Sequence, residues 1–102
     1  MQTIIQTLSE NVQVIYRKSI DADQGITQLQ QSGKGKFSAI FAEDAGFKAN
    51  SKFFKPYVEE LAKQVLELEN KPDETIKAAL PELVKKIELL LTTLNQFQKN
   101  AR

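Results

Sequence analysis

The sequence predicts an all-α fold, a small antiparallel helical bundle of three long helices plus one short helix. Three observations carry that expectation. Apolar residues recur at alternating spacings of three and four along every long segment, which is the period of one helix face. No segment shows the strict apolar–polar alternation of a half-buried strand. The 102 residues include only four Gly and three Pro, few for a fold built on tight turns.

The first helix is expected over about residues 2–31. Met1, Ile5, Leu8, Val12, Ile15, Ser19, Ala22, Ile26 and Leu29 form one heptad stripe. Ser19 and Ala22 are small for mid-stripe positions, so a neighbour should approach closely there. Gly25 lies off the stripe and weakens the helix by about 1 kcal/mol. The Ser32-Gly33-Lys34-Gly35 run ends it. A short helix is expected over about 36–44, because Phe37, Ile40 and Phe41 share a face. Residues 45–51 then connect, and Asn50 or Ser51 is a candidate cap. The next helix is expected over about 52–69, with Phe54, Val58, Leu61, Val65 and Leu68 as its stripe. Pro56 is tolerable only in the first turn. Asn70-Lys71-Pro72-Asp73 reads as a turn. A last helix is expected over about 74–98, broken near 80–81 by Pro81, with Leu80, Leu83, Ile87, Leu90, Leu94 and Phe97 inward. Residues 1–102 thus read as one domain, long enough to bury a core without staples.

Composition bounds the chemistry. With no Cys and no His, nucleophile pairs of the Ser–His or Cys–His kind and zinc sites of Cys and His are impossible. The same lack removes the Glu-x-x-His ligands of di-iron bundles. Glu59-Glu60 and Glu67 with Glu69 flank an apolar stripe and read as a solvated face rather than an acid–base pair. Gly33-Lys34-Gly35-Lys36 lacks the strand, the glycine spacing and the Ser/Thr of a phosphate loop. Neither catalytic residues, a metal nor a cofactor is therefore expected, and the chain is not read as an enzyme. Net charge is +1, so no whole-molecule field draws the chain to nucleic acid or membrane. The N-terminus lacks signal-peptide features, and Leu89-Leu90-Leu91 is too short to span a bilayer. A cytoplasmic protein is expected. Arg17-Lys18 and Lys85-Lys86 read as solvated pairs, and Tyr16 as an edge of the core.

Residues 34–57 hold five of the six phenylalanines, one of the two tyrosines and five lysines. Those lysines face only Glu43 and Asp44, a local net charge of +3. Phe37, Phe41 and Phe54 fall at core spacing. Phe47 and Phe53 lie off the stripes and are expected to be partly exposed. Tyr57 is expected to pack its ring and leave its hydroxyl wet. Lys52 and Lys55 should stand beside Phe53. Phe47, Lys52, Phe53, Lys55 and Tyr57 are therefore the candidate partner-binding residues. Such a mixture suits an acidic peptide ending in an aromatic residue, or single-stranded nucleic acid.

The order of Phe37-Ser-Ala-Ile-Phe41, Tyr57-Val-Glu-Glu-Leu61 and the Leu80-Pro step into an amphipathic helix resembles the N-terminal half of bacterial primosomal replication proteins of the PriC kind. The resemblance implies a protein-interaction bundle working in DNA replication restart. Its partner would be single-stranded-DNA-binding protein or a replication helicase. The arginine-rich second half of that family has no counterpart here, where only Arg17 and Arg102 occur, so its DNA contacts do not carry over. Two other readings stand beside this one. The bundle could hold single-stranded nucleic acid directly. It could also form a homodimer through Ile5, Leu8, Val12 and Ile15 of the first stripe.

Overall fold

The structure, a computed structural model, describes residues 2–33 and 39–100. Three α-helices and one single-turn 3-10 helix make up its regular structure: α1 Gln2–Gln31, the 3-10 turn Glu43–Ala45, α2 Lys55–Glu67 and α3 Asp73–Asn100. The all-α bundle expected from the stripes is therefore the fold. Helix α2 runs back along α1, because Asp23 meets the start of α2 while Ile5 and Ser9 lie beside Glu69 and Ile76 near its end. Helix α3 then returns parallel to α1, with Phe97 arriving at Gly25.

The stripes are the core. Ile5, Leu8, Val12, Ile15, Ser19, Ala22 and Ile26 are buried from α1. Phe54, Val58, Leu61, Val65 and Leu68 join them, as do Leu83, Ile87, Leu90 and Leu94. Ser19 is satisfied inside its own helix, its hydroxyl donating to the Tyr16 carbonyl at 2.6 Å. Gly25 gains a reason. A Cβ there would lie 3.3 Å from Phe97 Cε1, so its absence lets the Phe97 ring close on α1.

Four boundaries differ from expectation. The part of the 36–44 helix within the described residues does not form. Residues 39–42 are extended or bent, with Ala42 at φ −68° and ψ 160°. The Ile40 N–H instead donates to the Ser51 carbonyl at 2.9 Å, closing a loop that a helix would have held open. Phe37, Lys34 and Lys36 lie outside the described residues. Helix α2 starts at Lys55 rather than 52, because its first amides are answered from α1. Asp23 Oδ1 accepts the Phe54 N–H at 2.7 Å and Oδ2 accepts the Lys55 N–H at 3.1 Å. Helix α2 also ends at Glu67, two residues short of 69, in a run of turn residues. Helix α3 continues through Pro81 without the break expected at 80–81. Pro81 and Lys77 are both exposed, so the carbonyl that loses its N–H partner lies on the solvent side.

No helix among the described residues is long and apolar enough to cross a membrane.

Candidate interaction face

The crowded aromatic segment divides into a buried part and a surface part. Phe41, Phe47 and Tyr57 form a three-ring cluster with centroids 5.0–5.2 Å apart. Two of its three ring pairs are edge-on, the arrangement that ring quadrupoles favour. Phe47 is buried, not partly exposed as its position off the stripe suggested. The loop from 39 to 54 folds back on α2 and carries Phe47 under it, which no helical spacing could reveal. Tyr57 is 0% exposed and its hydroxyl is not wet. That oxygen donates to the Ser51 carbonyl and accepts the Ser51 N–H, both at 3.0 Å. Phe47 and Tyr57 therefore hold the loop in place and cannot touch a partner directly.

A second set of polar groups pins the same loop. Glu60 Oε1 accepts the Lys48 N–H at 2.9 Å and the Ala49 N–H at 2.7 Å. Lys86 Nζ lies 3.6 Å from Glu60 Oε2 and 3.3 Å from Glu82 Oε1, and donates to Gln64 Oε1 at 2.9 Å. It also stands 5.5 Å from the centroid of the Phe47 ring, within cation–π reach. Lys86 is only 2% exposed. Glu60 and Lys86 were thus misread as solvated residues, whereas Lys85, Glu59, Glu67 and Glu69 are exposed as expected. The signal that could have found Lys86 is its place between Leu83, Ile87 and Leu90, on the edge of the stripe.

The remaining candidates stay at the surface. Lys52 and Lys55 are exposed and Phe53 is half-buried. Lys52 Nζ lies 5.6 Å from the centroid of the Phe53 ring, the adjacency expected of these two. Phe53 is set by a local turn in which its N–H donates to Ser51 Oγ at 3.0 Å. Asp23 fixes the backbone of the next two residues, so Lys55 leaves the helix start in one direction.

From Lys55 an open groove runs between α1 and α2. A cleft of about 450 Å³ is lined by Lys55, Tyr16, Ile20, Asp23 and Thr27. A more apolar one of about 310 Å³ continues it along Val12, Tyr16, Arg17, Val58 and Ala62. Tyr16 walls both clefts and is 42% exposed, more than the core edge it was expected to be. Ile20 is 43% exposed. The sequence reading missed this groove because Tyr16 and Ile20 are two isolated apolar residues on an otherwise polar flank.

Ile5, Leu8, Val12 and Ile15, the residues assigned to a dimer seam, are buried inside the chain's own bundle. Among the described residues no cluster of three or more carboxylates could hold a metal ion. In comparison with known proteins, the chain matches no protein-family model, and neither a curated protein nor a solved structure is significantly similar to it.

Proposed function

We propose that this bundle is a non-enzymatic protein-interaction module. It docks another protein on the α1–α2 face, with Lys52, Phe53 and Lys55 at the basic end. The observation that carries this reading is the composition of that face. Half-exposed apolar side chains line an open groove, and lysines stand at its rim. A patch of this kind is what monomeric soluble domains ordinarily keep covered or use. The burial of Phe47, Phe54 and Tyr57 favours a protein over single-stranded nucleic acid. Bases need exposed rings to stack on, and of the described aromatics in residues 39–57 only Phe41 and Phe53 keep any exposure.

The motif order that resembles primosomal proteins supplies the setting of this proposal, replication restart in a bacterial cytoplasm. Its partner there is single-stranded-DNA-binding protein or a replication helicase. Affinity capture from the source cell, probed for those two proteins, tests it. The wild-type chain should retain one of them. A Lys52→Ala, Phe53→Ala double variant and a Lys52→Glu, Lys55→Glu double variant should lose it, with stability unchanged within about 1 kcal/mol, as for surface substitutions. Recovery of neither protein would remove the replication setting. Equal recovery by all forms would remove this face.

A further inference from the structure

We infer that the α1–α2 groove receives an acidic amphipathic α-helix from another protein. This rests on the docking reading above and names the segment that docks. Four observations lead to it.

The groove is long enough. Along α1 it runs from Thr27 to Val12 through two clefts that share Tyr16. At 1.5 Å per residue that is roughly 22 Å, or four turns of an incoming helix. It is also apolar along that length. Tyr16, Ile20 and Leu66 are three of the five exposed large apolar residues described, and Leu66 is 64% exposed. Leu66 shares a stripe of α2 with Lys55, Glu59 and Ala62, at spacings of four, three and four. The groove lies on the free flank of the pair. Lys18 Nζ donates to Asn95 Oδ1 at 3.2 Å and so marks the α3 side of α1. Two residues either way, Tyr16 and Ile20 fall on the opposite side.

The walls decide the conformation of the occupant. Both are α-helices, whose backbone groups are already paired within the helix. An extended peptide would find no strand edge to pair with and would leave its own N–H and C=O groups unanswered against apolar side chains. A helix answers them internally and presents only side chains, completing a four-helix arrangement. Charge decides the composition. Lys52, Lys55 and Arg17 stand along the rim as exposed cations. Of the two carboxylates lining the groove, Asp23 is engaged by two amides of α2, which leaves Glu59 as the one facing solvent. An occupant with acidic residues flanking its apolar edge complements that rim.

The test is a display selection of random 18-residue peptides against the full chain. Enriched peptides should carry apolar residues at spacings of three and four with net negative charge, and should gain helical circular dichroism on binding. Their affinity should fall at least tenfold for Tyr16→Glu and for Lys55→Glu, and stay unchanged for Val84→Glu. Enriched peptides that lose affinity with the groove variants but are proline-rich, alternate with period two or are basic would overturn the helix and leave the docking face standing. Peptides indifferent to the groove variants, or no enrichment over a blank support, would overturn both.

Discussion

Lys86 and Lys85 are neighbours in sequence and opposites in energetics. Lys85 is exposed, whereas Lys86 is sealed between α2, α3 and the Phe47 ring. Desolvating an ammonium is costly, and Glu60, Glu82 and Gln64 are what offset it here. Truncation to Lys86→Ala leaves Glu60 without its cation and opens a gap under Phe47. The expected cost is about 2–4 kcal/mol in urea denaturation, against less than about 0.5 kcal/mol for Lys85→Ala. Lys86→Met keeps most of the volume and should cost less than Lys86→Ala. None of this was legible in the sequence, because the groups that cover Lys86 come from residues 47–49 and 60–64, brought there by a loop. Tyr57 was half legible. Its stripe position placed the ring, but the partner of its hydroxyl, Ser51, depends on how that loop closes.

The helices themselves were legible, since each stripe is a local pattern that burial enforces. Their ends were less so. The start of α2 was misplaced because its cap sits 31 residues away on α1, and a sequence window cannot see it. Asp23→Ala removes the acceptor for two amides at once and should destabilise the fold by about 1–2 kcal/mol, the range for a lost helix cap. Asp23→Asn keeps one acceptor and should cost less. Gly25 tests the α1–α3 contact. Alanine there gains roughly 1 kcal/mol of helix propensity but sets a Cβ 3.3 Å from Phe97. In the native background the two effects should nearly cancel. In a Phe97→Leu background Gly25→Ala should become stabilising, and thermal melts of the four forms read the coupling. Additive effects would show that Phe97 does not press on α1.

At the scale of the molecule, α1 packs against both other helices along one stripe, and its outer flank carries the groove. The fold class followed from the stripes alone. The candidate site followed in part, for Lys52, Phe53 and Lys55 were named from composition and charge, and they stand at the surface. Phe47 and Tyr57 were named with them and proved structural, and Tyr16, Ile20 and Leu66 were not named at all. A helical pattern marks what is buried. An exposed site assembled from two helices requires knowing which flank of each faces the other.

The central claim is that the α1–α2 face binds another protein, and in-cell photo-crosslinking tests it most directly. A photo-reactive phenylalanine is placed at position 16, 66 or 84 in turn. Positions 16 and 66 should give a discrete product with one and the same partner, and position 84, on α3, should give none. No product at 16 and 66, or the same product at 84, would contradict the claim.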